Sequence, residues 1–68
     1  MTTAKASYYY AAGYHFFIGS YYGESEADDF EEVFDALTID MHEDWLYVES
    51  VDVDDAKHEV HIFIGNDE

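Results

Sequence analysis

The apolar residues of the first third of the chain alternate with a period of two. Tyrosine and phenylalanine predominate between residues 6 and 22, and the even-numbered positions would share one face of a strand: Tyr8, Tyr10, Ala12, Tyr14, Phe16 and Ile18. Side chains alternate between the two faces of a β-strand, so this pattern predicts extended structure. Gly13 is either a bulge in one long strand or the turn of a hairpin, and the uninterrupted pattern favours one bent strand.

The next apolar residues have the spacing of an α-helix. They are three or four positions apart and form a single stripe: Phe30, Val33, Phe34 and Leu37. Ser25 is the predicted N-cap of this helix, with Asp28 three positions later as an imperfect capping box. Residues 24–37 contain no Lys or Arg. The carboxylates of the helix therefore repel one another, and the apolar stripe must hold the helix in place.

Two more strands are predicted in the last third of the chain. Residues 45–52 alternate, with one face formed by Leu46, Val48, Ser50 and Asp52 and the other by Trp45, Tyr47, Glu49 and Val51. Residues 54–57 are a predicted turn. Residues 58–65 return with a core face formed by Val60, Ile62 and Ile64. Two strands joined by such a short loop are expected to pair antiparallel.

Two five-residue segments resemble each other. His15-Phe16-Phe17-Ile18-Gly19 and His61-Ile62-Phe63-Ile64-Gly65 match at four of five positions. We interpret them as two strands in similar environments, because the similarity is too short to indicate a repeat architecture.

Together these elements predict an α+β fold with the order β-α-β-β, in a single domain over residues 1–68. One amphipathic helix would cover one face of a small antiparallel sheet of three strands, or four if the first segment is a hairpin. The other sheet face would be unusually apolar, with Tyr9, His15, Phe17, Leu46, Val48 and Phe63. Such a face indicates a second interface, either a homodimer contact or part of a partner-binding surface.

The charge of the chain changes this picture. Seventeen Asp and Glu residues face two lysines and no arginine, which gives a formal charge of −15. The chain is nevertheless 49% hydrophobic and 19% aromatic, so the charge belongs to a folded domain and not to a disordered tail. Only Lys5 and Lys57 could contact phosphates, which excludes nucleic acid as a direct ligand, and anionic membranes would repel the chain. A basic protein is the expected partner.

Ten carboxylates are the candidate partner-binding residues. They are Glu24, Glu26, Asp28, Asp29, Glu31, Glu32, Asp35, Asp52, Asp54 and Asp55. Carboxylates three or four positions apart on a helix lie ~5–6 Å from each other, close to the separation of successive phosphates. The alternative is an ordinary solvated face, but such faces intersperse lysine among the acids. The pattern therefore predicts a surface that mimics DNA.

Catalysis is not expected from this sequence. There is no cysteine, no nucleophile motif and no Gly-rich phosphate loop, and carboxylates are too abundant to identify an acid–base pair. A domain of this size also has little room for a concave active site. We expect a non-enzymatic protein without a cofactor.

Three segments contain residue types that can bind metals, but none is predicted to form a metal site. His58 and His61 are three positions apart on a strand, so they would point to opposite faces. Residues 42–44 belong to a polar connection, residues 38–44, in which Ile39 and Met41 are expected to contact the core. Residues 52–55 lack the glycine and the distal glutamate of a calcium loop.

In length, absence of cysteine, acidity and aromatic content, the chain resembles the small phage-encoded anti-CRISPR proteins, in particular acidic inhibitors of type I systems. The resemblance covers the whole chain but transfers no individual residue, because these inhibitors share no common fold or motif. It implies that the acidic surface occupies the basic DNA-binding channel or PAM-reading region of the type I surveillance complex, Cascade. Subtype I-C is the favoured target, and restriction or DNA-repair enzymes are the alternatives. The expected location is the cytoplasm of an infected bacterial host.

A second function class is a salt-adapted domain or an acidic assembly module. Halophilic proteins resemble this chain in their loss of lysine and excess of Asp and Glu. One Trp, seven Tyr and five Phe in 68 residues fit that class less well. A halophilic domain should need molar salt to fold, whereas a phage inhibitor should be folded at physiological salt.

Overall fold

The computed structural model describes residues 1–39 and 45–66. Its elements are α1 (Thr3–Ala11), β1 (His15–Ser20), β2 (Gly23–Glu26), α2 (Phe30–Leu37), β3 (Leu46–Asp54) and β4 (Glu59–Asn66). The predicted α+β class is confirmed, but the order is α-β-β-α-β-β and two helices replace one. Met41 and residues 42–44, interpreted above, lie outside the described residues.

The sheet has four strands in the order β2-β1-β4-β3. β1 pairs with β2 and β3 pairs with β4, both antiparallel, and the second pair was predicted. The central pair, β1 and β4, is parallel, so the prediction of an antiparallel sheet is wrong there. The short turn between β3 and β4 could be predicted from the sequence, but neither the β1–β2 hairpin nor the way in which the two hairpins join could be.

Helix α1 replaces the first half of the predicted bent strand. It begins at the N-cap Thr2, whose hydroxyl oxygen accepts a backbone hydrogen bond from the first turn at 3.2 Å. It ends at Gly13, which has a φ of 90°. The Gly13 N–H donates to the Tyr10 carbonyl oxygen at 3.1 Å, and the Tyr14 N–H donates to the Tyr9 carbonyl oxygen at 3.1 Å. This is a Schellman motif, so Gly13 ends a helix and is neither a bulge nor a hairpin turn.

Helix α2 begins later than predicted. The segment Gly23–Glu26 is an edge strand with all four residues exposed, and it pairs with β1 instead of leading into a helix. The N-cap is Asp29, not Ser25: its Oδ1 accepts a hydrogen bond from the Glu32 N–H at 3.1 Å. Glu32 in turn accepts from the Asp28 N–H at 3.1 Å, so the capping arrangement lies four positions further along than expected.

The core lies between the two helices and one face of the sheet. Its buried residues are Ala6, Phe16, Val33, Ala36, Val60, Ile62 and Ile64. The predicted core face of β4 is therefore confirmed. On α2 the predicted stripe is shifted, because Val33 and Ala36 are buried while Phe34 is 45% exposed. Ile39 packs against the core, as predicted.

Strand β3 changes face in its middle. The register against β4 shifts between Val48 and Ser50, which marks a β-bulge. Leu46 and Val48 pack against the core before the bulge, and Val51 does so after it. The predicted placement of Leu46 and Val48 on the exposed face is therefore wrong. The prediction assumed one unbroken alternation, whereas an extra residue in a strand makes the residues before it and after it alternate in opposite phase.

Candidate acidic interface

The sheet face away from the helices, called here the open face, is identified by strand register. Phe16 and Ile18 point into the core opposite Val60 and Ile62, so the intervening residues point outward. The two similar five-residue segments lie in the neighbouring strands β1 and β4, offset by two positions. Their odd-numbered residues share the open face: His15, Phe17 and Gly19 on β1, and His61, Phe63 and Gly65 on β4.

The ten predicted carboxylates do not form a single helix face. They lie in three places: Glu24 and Glu26 on β2; Asp28, Asp29, Glu31, Glu32 and Asp35 on or just before α2; and Asp52, Asp54 and Asp55 at the end of β3 and in the following turn. Six of the ten accept hydrogen bonds within the molecule, namely Glu24, Glu26, Asp29, Glu32, Asp54 and Asp55. The structure therefore separates carboxylates with an intramolecular role from those directed only to solvent.

The carboxylates of α2 divide in this way. Asp29 and Glu32 bind backbone N–H groups at the start of the helix, where negative charge also complements the helix dipole. Asp28, Glu31 and Asp35 are exposed, and within the described residues their carboxylates accept no hydrogen bond. These three residues are called the helix patch. Glu31 and Asp35 are four positions apart, which places their Cβ atoms ~5–6 Å from each other.

The turn between β3 and β4 is fixed by its own carboxylates. Asp54 Oδ1 accepts from the Lys57 N–H at 3.2 Å, and Asp55 Oδ1 accepts from the Tyr14 hydroxyl at 2.7 Å. The bond to the Asp55 carboxylate raises the pKa of Tyr14 to about 12, because ionising the phenol would remove the donor and place two negative charges together. The Tyr14 ring also lies 4.8 Å from the His58 ring. The turn is thereby tied to the segment that follows α1.

A histidine on the open face holds two carboxylates together. The His61 Nδ1 lies 2.9 Å from Glu24 Oε2, and its Nε2 lies 3.0 Å from Glu59 Oε1. The imidazole ring stacks on Phe17, with centroids 4.9 Å apart and an angle of 12° between the planes. These residues, Phe17, Glu24, Glu59 and His61, are called the histidine cluster.

The chemistry of the cluster favours a charged imidazole. Carboxylates are acceptors, so both ring nitrogens can donate only when the ring is an imidazolium. The hydrogen bond to Glu24 and then that to Glu59 raise the pKa of His61 above its ordinary 6.5, while desolvation opposes them. His15 makes a similar but more exposed contact, with Nδ1 lying 3.0 Å from Glu26 Oε2.

Sequence reasoning placed His15 on the open face but missed Glu59 and His61 as interface residues, and it did not predict that either histidine pairs with a carboxylate. The signal was present in the repeated His-x-Phe-Ile-Gly pattern, which places both histidines on the outer face of a strand. Their carboxylate partners lie on other strands, 11 and 37 positions away for Glu26 and Glu24. Such pairs require knowledge of the strand order.

The other half of the open face is aromatic. Tyr47 lies across the neighbouring Gly65, where an added Cβ would be 2.5 Å from the Tyr47 Cζ. Phe63 similarly lies across Gly19, where an added Cβ would be 3.5 Å from the Phe63 Cδ2. At Gly65 the close approach of the Tyr47 ring requires glycine, which has no side chain, whereas the distance at Gly19 is an ordinary contact. The predicted apolar open face is confirmed for Phe17 and Phe63, but it is wrong for Tyr9, which lies on α1 and packs against the core.

The described part of the chain offers few other kinds of site. Residues 1–39 and 45–66 contain no group of three His, Cys, Asp or Glu side chains that could hold a metal ion. In the same ranges, no helix has the length and apolar character needed to cross a membrane.

Comparison with known proteins gives no relative: no family model, no curated protein and no solved structure matches the chain. The geometry and charge of the acidic surfaces and of the open face are therefore the observations that bear on function.

Proposed function

We propose that this protein is a non-enzymatic phage inhibitor that binds the basic DNA-binding site of a CRISPR surveillance complex of type I and keeps DNA out of it. One observation carries the proposal. Every ion pair within residues 1–39 and 45–66 involves a histidine, and none involves Lys5 or Lys57. The acidic surface is therefore left uncompensated by lysine, which is the property that a basic groove would recognise.

The helix patch is the proposed contact surface. Asp28, Glu31 and Asp35 are exposed and are not used to cap the helix. α2 packs on the sheet through Val33 and Ala36, so Glu31 and Asp35 are held on a supported element, and Asp28 lies immediately before its N-cap. An array of fixed negative charges steers a basic partner toward it, and the association rate should fall as salt is added.

Displacement of DNA tests the proposal. A purified type I surveillance complex is loaded with labelled duplex DNA, and increasing amounts of the protein are added at low and at physiological salt. We expect DNA release with a midpoint that rises with salt. Restriction and DNA-repair enzymes, tested in the same assay, identify the target class. Failure to displace DNA from any of them would contradict the proposal.

Matched charge reversals locate the surface. The triple variant Asp28→Lys, Glu31→Lys, Asp35→Lys is expected to weaken inhibition about 100-fold or more, since like charges placed against a basic groove cost several kcal/mol. The matched control compares the single variants Glu31→Lys and Asp52→Lys, which make the same change in net charge at exposed carboxylates that accept no hydrogen bond within the described residues; Asp52→Lys should weaken inhibition much less. Equal losses would mean that total charge acts and not the helix patch.

A salt-adapted domain is the second candidate. The observation in its favour is that six of the ten carboxylates bind groups of the protein itself, including both hydrogen bonds at the start of α2. Thermal unfolding distinguishes the two functions. A domain that unfolds at physiological salt and folds only in molar salt would favour the second candidate.

A further inference from the structure

A groove on the open face is lined mainly by aromatic rings. It has a volume of about 440 Å³ and lies between the tip of the β1–β2 hairpin and the strands β3 and β4. The residues that define this aromatic groove are Tyr21, Tyr22, Tyr47, Glu49 and Phe63. Its lining therefore combines four aromatic rings with one carboxylate.

The floor of the groove is built on glycine. Tyr47 can lie across β4 only because the residue beneath it is Gly65, whereas Phe63 lies over Gly19 of β1 at an ordinary contact distance. The two rings nevertheless remain 42% and 41% exposed. The strand register fixes the position of both rings while leaving them exposed to solvent. Rings placed in this way contribute little to the core and are available to contact a ligand.

The wall of the groove is the hairpin tip. Tyr21 and Tyr22 connect β1 to β2, and they are 86% and 87% exposed. Their rings meet edge to face with centroids 5.4 Å apart. Large aromatic side chains at the tip of a two-residue hairpin turn make few apolar contacts with the rest of the molecule. A partner that covered them would bury this apolar surface, which favours binding.

The charge of the protein selects the occupant. A second copy of the chain would bring together two molecules of charge −15, and nucleic acid would be repelled for the same reason. A cation is attracted instead. The guanidinium of arginine is planar, stacks on aromatic faces and donates several hydrogen bonds to a carboxylate, whereas the lysine ammonium is compact and more strongly hydrated.

We propose that the aromatic groove binds an arginine side chain of a basic protein partner, stacked against Tyr47 and Phe63 and hydrogen-bonded to Glu49. This inference rests on the proposed function in one respect, namely that the partner is basic. It adds a second contact surface, on the face of the sheet opposite the helices, and makes the interaction selective for arginine over lysine.

The probe is the peptide Gly-Arg-Gly-Arg-Gly, compared with Gly-Lys-Gly-Lys-Gly. Each is titrated into the isotopically labelled full chain at physiological salt, and the ring signals of Tyr47 and Phe63 are followed by NMR. We expect these signals to shift with the arginine peptide, which should bind about three- to fivefold more tightly than the lysine peptide. Equal affinities for the two peptides would overturn the proposal.

Matched variants separate stacking from general attraction. Tyr47→Leu should weaken the arginine peptide about threefold, whereas Tyr8→Leu, at a 65% exposed tyrosine of α1, should not change it. Glu49→Gln should weaken binding more than Asp52→Asn, although the two variants have the same net charge. Equal losses within either pair would overturn the proposal.

Gly65→Ala is a further test, because it preserves all the aromatic and acidic residues. The added methyl group would occupy the position of the Tyr47 ring and force the ring to move. Arginine selectivity should fall while the lysine peptide binds as before. Unchanged selectivity for arginine in a folded Gly65→Ala protein would overturn the proposal. This test remains available if the Tyr47→Leu variant does not fold.

Failure of this inference and failure of the proposed function have different signatures. If the groove variants keep arginine selectivity and the protein still displaces DNA, the inference fails and the function stands. If the arginine peptide binds as expected but no DNA is displaced from any target, the proposed function fails. Ring signals that shift with protein concentration alone, together with sedimentation as a dimer, would show that a second copy fills the groove and would overturn the inference.

Discussion

The helix patch and the histidine cluster are both acidic, but they handle their charge in different ways. In the helix patch, Glu31 and Asp35 point to solvent from a helix that contains no cation. In the histidine cluster, Glu24 and Glu59 share His61, which joins them through its two nitrogens. The arrangement in the histidine cluster depends on a proton, because both ring nitrogens of His61 can donate only when the ring is an imidazolium. Composition alone could not distinguish them, because it counts all carboxylates alike.

The largest expected effect tests which carboxylates of α2 serve the fold. Asp29→Ala removes the N-cap and should lower the free energy of unfolding by about 1 kcal/mol. The matched change Asp35→Ala removes an exposed carboxylate that is not a cap, and it should leave stability within about 0.5 kcal/mol of the original. Urea unfolding measures both. Equal losses would mean that the helix patch also stabilises α2.

An intermediate effect is expected from the proton of the histidine cluster. The pKa of His61 is raised in the folded chain by its bonds to Glu24 and Glu59, so the folded protein binds this proton more tightly than the unfolded chain. The resulting stabilisation is fully present below the unfolded value of 6.5 and is lost as pH rises through the folded value. The free energy of unfolding should therefore fall as pH rises above 6.5.

The variant His61→Gln isolates this contribution. Glutamine can still form a hydrogen bond but does not titrate, so the decrease in stability above pH 6.5 should become smaller. Asp52, the residue opposite His61 on β3, is retained in both proteins. His58→Asn is the control, since it removes a histidine outside the cluster at a position with a φ of 56°, which asparagine tolerates. An unchanged pH dependence in His61→Gln would assign it to other groups.

The smallest effect concerns a single proton in the β3–β4 turn. Asp55→Asn should lower the pKa of Tyr14 from about 12 toward its ordinary 10, because the carboxylate that stabilises the neutral phenol is lost. The ring signals of Tyr14, followed by NMR against pH, measure the change, because ultraviolet absorbance would sum over all seven tyrosines. Asp54→Asn is the matched control, since Asp54 binds the Lys57 N–H and not the phenol. A titration of Tyr14 that is the same in both variants would exclude the bond to Asp55 as its cause.

The second hairpin could be predicted from the sequence, and the first helix could not. Val60, Ile62 and Ile64 alternate cleanly beside a short polar turn, and both signals are local. In α1, three consecutive tyrosines favour a strand by propensity, and this outweighed the cap at Thr2 and the terminating Gly13. A buried Ala6, the residue that packs the helix on the core, gives little apolar signal.

The candidate site was predicted in part for similar reasons. The position of Glu31 and Asp35 on one exposed face of a helix follows from helical periodicity, which is visible within one segment of the sequence. The partnership of Glu24 with His61 spans two strands that are not neighbours, β2 and β4, so it depends on the sheet order. The bulge after Val48 also escaped prediction, although the sequence carries a signal for it: Glu49 and Ser50 are two consecutive polar residues, and the apolar alternation resumes out of phase at Val51.

The parallel pairing of β1 with β4 has a consequence for how the protein is made. His15 pairs with Glu59, and the difference between 59 and 15 is 44 positions, so the middle of the sheet joins an early and a late part of the chain. During synthesis, β1 cannot form its parallel pairing until β4 has emerged from the ribosome. Contacts between distant segments slow folding, and the hairpins alone lack the shared core. The histidine cluster therefore cannot form until β4 has emerged, and until then Glu24 lacks its imidazole partner.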